Sequence, residues 1–501
     1  MRRFNGLCCL FALVAATAAL RGQQGTSTII GAVADPADAI VPNAALQLTE
    51  LATGTVHQLV TPATGLFRFI DLLPGKYSLR VQAQGFKVYE VNGIELGSSE
   101  TRDLGRLTLQ VGGVTESVMV AAQATPVQTA SSERSASVLP QQLQDLSLKG
   151  RDPFGMMQLL PGVADTNIGN RDLENAYSMG YISINGMSPQ AVNVAVDGVT
   201  EMDEGGNYTA FVTPNMDSIA EMRVLTNGYQ AEYGRQSGGT MNVITKSGGR
   251  DFHGSGHWDH RHEDMNANNF FNNRQGIVRP LYRYMIAGYS LGGPVYIPRK
   301  WNTDRRRLFF FVSQEFTQIA QPTSTITANT PTAAERAGDF SNTRNAAGQI
   351  IPILNPTTGM PFPGNIVPKD MIDPTGEAIL NLLPLPNGYV NPSPGQQYTA
   401  NYIASATPPY DRRNTMLRFD ATLTRKLTMY YRYGQDVDNQ DYEFVVAPGV
   451  GTNVRFLPGY IHGVHLTYTA SPTMVNEMLF GVGHDNYGFY HTTSDLSLIH
   501  I

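Results

Sequence analysis

The feature that most constrains this chain is a pair of segments near its end in which apolar and polar residues alternate. Leu417–Thr424 alternates strictly, the two-residue turn Arg425-Lys426 follows, and Leu427–Tyr433 alternates again. A period of two puts the apolar side chains on one face of a sheet and the polar ones on the other. Segments of about 10 residues with this pattern, joined by a tight turn, are typical of an outer-membrane β-barrel. A water-soluble β-sandwich has the same period and is the alternative.

Two observations favour the barrel. The face opposite the apolar one carries arginine and acidic residues, including Arg418 and Asp420, which suits a wet interior. Tyr430, Tyr431 and Tyr433 cluster at a strand end, as in the aromatic girdle of a barrel at the membrane interface. The same alternation recurs further along the chain, at Val464–Thr469 and Met478–Val482.

Composition excludes two classes of protein. The 501 residues include 36 Lys and Arg against 42 Asp and Glu, and the pI near 5.9 speaks against a nucleic-acid partner. Beyond the N-terminus no run of about 18 apolar residues occurs, which excludes a helical membrane protein. The charged fraction of 16% is below the usual ~25%, and together with abundant Asn, Thr, Gly and Tyr it favours a large β protein.

Residues 1–22 have the three-part pattern of a secretory signal peptide. Arg2 and Arg3 supply a positive start, and the apolar stretch Leu7–Leu20 ends in small residues. The two cysteines of the chain, Cys8 and Cys9, both lie inside this stretch. We therefore expect a mature chain without cysteine, in which disulfides and thiolate catalysis are excluded.

Residues 26–112 are predicted to form a small β-sandwich. Strand-length alternating runs recur there between Gly and Pro turn signals, which is typical of an all-β sandwich. The predicted strands are Thr28–Val33, Ala45–Leu51, Thr55–Val60, Leu66–Phe69, Lys76–Val81 and Arg106–Val111.

Three phrases in this region, Gly65–Phe69, Leu73–Tyr77 and Gly85-Phe86, resemble the carboxypeptidase-regulatory-like family. That family is named after an accessory module of carboxypeptidases and not after their zinc site. The resemblance implies a transthyretin-like, carbohydrate-binding-like sandwich without catalysis. Whether the sandwich binds carbohydrate or is a spacer stays open.

Residues 138–250 carry a second set of motifs. These are Ile184–Gly186, the run Val194–Val199 with its Asp-Gly turn, Asp217–Val224, and Ala231–Gly248, the most specific stretch of the chain. They resemble the plug domain of TonB-dependent outer-membrane transporters, in the Oar-like branch, and the resemblance implies an α/β plug. In that family an arginine at the position of Arg235 packs between plug and barrel wall. An exposed loop arginine is the alternative.

A short extended segment, Val114–Val120, lies just before this plug, and a polar linker follows it. A strand in a flexible leader is suited to adding to the edge of a partner's sheet, where backbone hydrogen bonds supply the affinity. Its position resembles that of the energy-coupling (TonB) box of the same transporters. Within residues 113–122 the resemblance assigns partner binding to five residues, Glu116, Ser117, Val118, Met119 and Val120.

Residues 251–495 are predicted to form part of an antiparallel outer-membrane β-barrel. Residues 321–409 are rich in Pro, Thr, Asn and Gly without periodicity, and they fit a long external loop region. A plug of this size needs a barrel of about 22 strands, which takes well over about 400 residues. We therefore expect an N-terminal portion of a transporter with an open sheet. The last residues, 496–501, match a sequencing-adapter artefact.

Two motifs match enzyme signatures, and neither is predicted to be catalytic. Gly288–Gly292 fits the G-x-S-x-G pattern around Ser290. A nucleophile elbow, however, needs a helix directly after the serine, and Gly293 and Pro294 oppose one. The Gly-rich stretch Ser237–Gly239 lacks the Lys-Ser/Thr of a phosphate-binding loop.

The densest metal-capable cluster lies at the start of the predicted barrel. On a strand, His260 and His262 share one face while His253 and His257 point to the other, so no three-ligand geometry follows. We predict a polar strand facing the lumen, without metal or cofactor. The cluster comprises His253, His257, Asp259, His260, His262 and Glu263.

These patterns predict a mainly β protein with a sandwich, an α/β plug and a partial barrel, located in the cell outer membrane with the sandwich in the periplasm. The resemblance implies active import of a nutrient, which is a siderophore, an oligosaccharide or a peptide. It implies three partners: a TonB-type periplasmic energy-coupling protein, outer-membrane lipid and that nutrient. An outer-membrane adhesin or carbohydrate-binding surface protein is the alternative, and a secreted esterase or carboxypeptidase is the third hypothesis.

Overall fold

The structure is a computed structural model. It describes residues 27–97, 100–112, 117–121, 132–138, 140–146, 148–166, 178–203, 205, 209–229, 233–234, 236–268, 270, 273, 279, 281–320, 326–404, 409–424, 426–442, 453–471, 474–486 and 488–491. The expected signal peptide and the expected adapter residues lie outside these ranges. Within them, no helix is long and apolar enough to cross a membrane.

The N-terminal unit, which we call the sandwich, consists of two sheets that share one apolar core. The three-stranded sheet has the order β4-β1-β7 and the five-stranded sheet the order β3-β2-β5-β6-β8. Alternate residues of the strands, such as Leu48, Leu79 and Ile94, point into this core and are fully buried. The strands are β1 (Ser27–Ala34), β2 (Ala45–Glu50), β3 (Val56–Val60), β4 (Leu66–Leu72), β5 (Gly75–Gln82), β6 (Val88–Leu96), β7 (Thr101–Thr108) and β8 (Ser117–Ala121).

Strand β6 is absent from the sequence prediction. Its middle contains Asn92-Gly93, a pair typical of a two-residue hairpin turn. In the structure Gly93 has a φ of +75°, and the pairing of β6 with β5 shifts register between Tyr77 and Leu79. Gly93 therefore belongs to a β-bulge, which bends and twists a strand without ending it.

The middle unit, which we call the plug, is built around a five-stranded sheet of order β13-β12-β15-β14-β9. Strands β12 and β15 are parallel, and both are buried along their whole length because other elements cover both faces of the sheet. The elements of the plug are β9 (Arg134–Val138), α1 (Pro140–Asp145), β10 (Val163–Asp165), β11 (Ile182–Ile184), β12 (Val192–Val196), β13 (Val199–Thr200), β14 (Ile219–Asn227) and β15 (Gly239–Thr245). Its 3₁₀ turns are Lys149–Arg151, Pro153–Leu159, Ser178–Tyr181, Pro189–Ala191 and Met216–Ser218.

The third unit, which we call the barrel sheet, is an antiparallel sheet of eight described strands. Its order is β16-β17-β18-β21-β22-β23-β24, and β25 pairs with β23. The strands from β16 onward, including two short ones in the connection between β18 and β21, are β16 (His253–Arg261), β17 (Arg283–Pro294), β18 (Leu308–Ala320), β19 (Ile326–Ala328), β20 (Tyr402–Ala404), β21 (Pro409–Thr424), β22 (Leu427–Tyr442), β23 (Asn453–Ser471), β24 (Met474–Asp485) and β25 (Gly488–His491). A 3₁₀ turn, Glu263–Met265, follows β16.

The barrel sheet has the two-faced character that the alternation predicts. Arg418 and His465 are buried on the face that meets the plug, whereas Phe419 and Phe480 are exposed on the opposite face. The prediction that Tyr430 belongs to an aromatic girdle at the membrane interface is wrong. Tyr430 is buried on the inner face, because the period of two places it with the residues that face the plug and not with the adjacent tyrosine.

The connection between β18 and β21 is the long loop region predicted from the sequence, and it has local order of its own. Strands β19 and β20 pair antiparallel within it. Two helices start at side-chain caps: Thr332 forms a capping box with Glu335, and Asp373 accepts hydrogen bonds from the first turn of the second helix. These helices are α2 (Ala333–Arg336) and α3 (Pro374–Leu382), and the 3₁₀ turns are Pro363–Asn365 and Lys369–Met371.

The β2–β3 turn of the sandwich lies against the end of the barrel sheet at which β16 begins. The backbone N–H of Arg250, just before β16, donates to the carbonyl of Ala52 at 3.2 Å. Glu50 is only 8% exposed and accepts a hydrogen bond from Thr53 at 2.5 Å. A cavity of about 90 Å³ lies between the two units and is lined by Glu50 and Thr53 on one side and Thr422 on the other.

Burial of the sandwich core generates a first prediction. Replacing Leu79 by alanine removes a fully buried side chain from the core that both sheets share. We expect the free energy of unfolding of the sandwich to fall by about 2–5 kcal/mol. Leu66→Ala, at a position 58% exposed, is the matched control and is expected to change little. Pulse proteolysis of the whole protein over a urea series measures both, and equal effects would contradict the assigned core.

Candidate functional site

The contact between plug and barrel sheet is built first from the turn that joins β12 to β13. Asp197 and Gly198 occupy this turn with φ of +48° and +81°, a left-handed conformation that Asp, Asn and Gly adopt most readily. Asp197 is buried, with 4% of the residue exposed. Its carboxylate accepts a hydrogen bond from the Thr245 backbone N–H at 3.0 Å and another from the Thr245 hydroxyl at 2.6 Å. Neighbouring strands of the plug therefore hold one carboxylate in a fixed place at the edge of the plug.

Two barrel arginines meet this carboxylate. Arg418 on β21 and Arg432 on β22 lie directly opposite each other in the sheet register, and both are almost fully buried. The Arg418 Nη1 lies 3.2 Å from Asp197 Oδ1, and the Arg432 Nε lies 3.4 Å from Asp197 Oδ2. Like charges directly opposite in a sheet repel. A carboxylate between the two guanidinium groups offsets that repulsion.

The same contact has two further components. Asp420 forms an ion pair with Arg418 at 2.8 Å, and the Tyr430 hydroxyl donates to the Asp197 carbonyl at 2.8 Å. The Arg418 guanidinium also lies over the Tyr430 ring, 4.4 Å from its centre. These contacts fix the planar guanidinium on three sides, which adds directional hydrogen bonding to charge neutralisation.

Glu201, which follows β13, completes this group. It is fully buried, with its Oε1 2.8 Å from the Arg432 Nη2. Burial raises the pKa of Glu201 to about 7, against the lowering effect of the Arg432 charge. Its carboxyl group therefore changes charge close to neutral pH.

A second group joins the plug to β16 and β18. Arg151 of the plug donates from Nε to Glu315 Oε2 at 3.1 Å and from Nη2 to Asp217 Oδ2 at 3.2 Å. His257 of β16 lies between the same two carboxylates, 2.8 Å from Asp217 and 3.3 Å from Glu315. Burial raises the pKa of Asp217, but the hydrogen bond from His257 and the charge of Arg151 outweigh it and hold that pKa below its usual value.

This second group bears on the histidine cluster predicted from the sequence. Asp217, His257 and Glu315 are close enough to share a metal ion. The Arg151 guanidinium already supplies a cation to both carboxylates, so the group is an ion-pair network between plug and barrel sheet. As the alternation predicts, His260 lies on the opposite face of β16 from His257, stacked on Trp258.

A third group lies further along β21, towards the long loop region. Arg412 and Asp436 of adjacent strands form a two-pronged ion pair, at 2.8 Å and 2.5 Å. Arg412 and Asn414 both donate to the backbone carbonyl of Thr213 in the plug, at 3.4 Å and 2.8 Å. The Asn215 amide of the plug donates to Asn414 at 2.7 Å. The barrel sheet thus forms hydrogen bonds with the plug backbone as well as with plug side chains.

Most residues assigned from the sequence lie away from these three groups. Arg235 and Glu116 lie outside the described residues, so their assigned roles stay predictions. Ser117–Val120 belongs to β8, which pairs in parallel with β6 of the sandwich. The coupling role assigned to that segment is likewise still a prediction.

The serine of the G-x-S-x-G match lies in the middle of β17. Its hydroxyl is 2.7 Å from that of Ser255 on the neighbouring strand, and the strand continues to Pro294. A nucleophile elbow requires a sharp turn from strand to helix. Ser290 therefore belongs to a regular strand pair of the barrel sheet.

The residues that make the contact were only partly visible in the sequence. Alternation places Arg418 and Arg432 on the inner face, and the sequence indicates a turn at Asp197-Gly198. No local pattern predicts that these residues pair with one another, and none indicates the roles of Arg151 and Glu315. An arginine at an inward position on each of two adjacent strands is a signal that a carboxylate must approach from elsewhere in the chain.

Three family models match the chain. The outer membrane beta barrel domain matches residues 244–498, about half of the 501 residues. The chain belongs to this outer-membrane β-barrel family. The TonB-dependent receptor plug domain matches residues 128–240, and the carboxypeptidase regulatory-like domain matches residues 28–110. The arrangement of the three models is that of TonB-dependent outer-membrane transporters.

One curated relative is the TonB-dependent transporter Oar of Myxococcus xanthus, which is 26% identical over 290 residues. The match covers 55% of this chain and 26% of that protein, so this chain spans about a quarter of the length of the relative. Among solved structures, the outer membrane transporter YddB of Escherichia coli has a TM-score of 0.45 at 10% identity, with 72% of this chain and 40% of that one covered. A mutant of the ferric enterobactin receptor PfeA of Pseudomonas aeruginosa, in complex with enterobactin, has a TM-score of 0.38 at 14% identity, with 72% of this chain and 45% of that one covered.

The Asp197 contact generates a prediction about how strongly the barrel sheet binds the plug. Asn at this position keeps the left-handed turn but removes the charge that faces two buried arginines. We expect Asp197→Asn to destabilise the docked plug by about 3–5 kcal/mol, because it leaves buried charge uncompensated. The measurement is the urea midpoint at which a cysteine introduced at the buried plug residue Ala195 becomes reactive to a thiol reagent. Asp251→Asn, with a side chain 96% exposed, is the control and should leave that midpoint unchanged.

Glu201 generates a prediction about pH. Between the usual glutamate pKa of about 4.3 and the folded value of about 7, the docked plug holds a proton that the unfolded chain releases. The unfolded state therefore binds fewer protons in this window, and the stability of the docked plug falls as pH rises from 5 to 8. Glu201→Gln should flatten this part of the pH dependence of the same urea midpoint. An unchanged slope in the variant would show that another group titrates.

Proposed function

We propose that this chain imports a small nutrient across the outer membrane and that a periplasmic energy-coupling partner drives the import by pulling on the plug. The observation that carries the proposal is the buried ion-pair contact of Asp197 with Arg418 and Arg432. It holds the plug against the inner face of the barrel sheet by charge pairs that are nine-tenths or more buried.

Opening the lumen requires these pairs to separate. An ion pair out of water is strong because the local dielectric is low, and each charge must be solvated again when the partner leaves. Water that enters the separating interface supplies this solvation, so the interface opens progressively. The pull of the partner supplies the free energy that is needed to separate the pairs. Three groups of contacts, around Arg418, Arg151 and Arg412, divide that cost between strands.

The pull is assigned to a TonB-type partner, which pairs with residues 116–120 and draws its energy from the proton gradient of the inner membrane. The match to the plug model of TonB-dependent receptors supports this assignment. The substrate binds the loop region between β18 and β21 and the adjacent plug residues before the plug moves. Its class is a siderophore, an oligosaccharide or a peptide.

Deleting Val114–Ala121 tests the proposal. In a strain that lacks the natural gene, the full-length transporter should restore growth on its nutrient, and the deletion variant should not, because the partner has no strand to pair with. Uptake of labelled siderophores, oligosaccharides and peptides is the measurement.

The control replaces residues 123–130 by a Gly/Ser sequence of equal length, which keeps the segment and changes only the linker. Both variants must reach the outer membrane in equal amounts. Persistent uptake by the deletion variant would contradict energy coupling through this segment. Under the adhesin hypothesis the deletion should leave cell adhesion untouched.

A further inference from the structure

The segment assigned to partner binding is already part of a sheet. Strand β8 pairs in parallel with β6, with Val88 opposite Ser117 and Asn92 opposite Ala121. It is the terminal strand of the five-stranded sheet of the sandwich. The backbone of residues 117–121 is therefore extended and held on one side before any partner arrives.

The other side of β8 is an edge. Among the described strands none pairs with β8 except β6. In a strand, successive backbone N–H and C=O groups point to opposite sides, so about half of those of β8 point away from β6. Such an edge is a template on which another extended chain can add.

We propose that the energy-coupling partner binds by adding a strand to the outer edge of β8 while β8 stays paired with β6. The sandwich is then part of the coupling site and not a spacer. This inference rests on the proposed function, and it specifies how the partner is recognised. The occupant is an extended segment of the periplasmic partner, because the segment lies directly before the plug that the partner must move.

Two physical arguments favour addition over displacement. Adding a strand to the outer edge breaks none of the hydrogen bonds between β6 and β8, whereas removing β8 breaks the whole ladder. The segment is also ordered in advance, so the partner meets a strand whose backbone entropy is already lost. The sandwich thereby raises the affinity of the segment for its partner.

The geometry also directs the pull. The β2–β3 turn of the same sandwich contacts the chain between plug and barrel, where the Arg250 N–H donates to the Ala52 carbonyl. A force applied to β8 through its sheet therefore reaches this contact as well as the plug.

A disulfide between β6 and β8 tests the inference. Parallel strands lie about 4.8 Å apart, within the Cα separation of about 4.4–6.8 Å that a disulfide spans. The pair Asn92→Cys and Ala121→Cys is opposite in register, and the chain has no cysteine besides Cys8 and Cys9. We expect the bond to form in the full-length transporter in outer membranes and to leave nutrient uptake within about twofold of the single-cysteine controls.

Two outcomes would overturn the inference. The pair would fail to cross-link if β8 did not lie on β6, and cross-linking would lower uptake by about tenfold, reversibly on reduction, if β8 had to leave. Failure of the proposed function is distinguishable, because then deletion of Val114–Ala121 itself leaves uptake intact.

Proline substitutions at adjacent positions give a second test. Proline removes one backbone donor, and adjacent donors point to opposite edges of the strand. Of Val118→Pro and Met119→Pro, one should keep the cross-link but lose binding of the purified partner domain, and the other should lose the cross-link. Equal behaviour of the two variants in both measurements would overturn the inference.

Discussion

The structure depends on two arginines that face each other across adjacent barrel strands with one plug carboxylate between them. Arg418 and Arg432 are opposite in register and almost entirely removed from water. Neither could be buried there alone, since an unpaired buried charge is costly and two facing ones also repel. Asp197 makes their burial possible, and the arginines in turn hold Asp197. Plug and barrel sheet therefore each supply charges whose burial requires the other.

This dependence explains why several polar groups take part in attaching the plug to the barrel sheet. An apolar interface has no preferred direction, whereas paired charges and hydrogen bonds fix position and orientation. They can also exchange their partners for water when the interface opens. The inner face of the barrel sheet thus suits a contact that must be specific when closed and separable when pulled.

The sandwich adds a second mechanical element. Its sheet carries β8 at one edge, and its β2–β3 turn lies at the end of the barrel sheet, with Glu50 buried beside the cavity between them. Burial raises the pKa of Glu50 above its usual value, although the hydrogen bond from Thr53 lowers it. The burial of this carboxyl group shows that the sandwich packs closely against the end of the barrel sheet.

The sequence by itself determined the class of the protein and the two faces of the barrel strands, because a period of two is a local property of the chain. It also indicated the Asp-Gly turn and placed Arg418 on the inner face. It did not predict β6, in which the Asn92-Gly93 pair belongs to a bulge, and it misplaced Tyr430, whose aromatic ring suggested the membrane interface. Only the tertiary structure decided which charges meet. Asp197 and Arg418 are 221 residues apart, and neither local pattern specifies the other, because their pairing arises from how the plug packs inside the sheet.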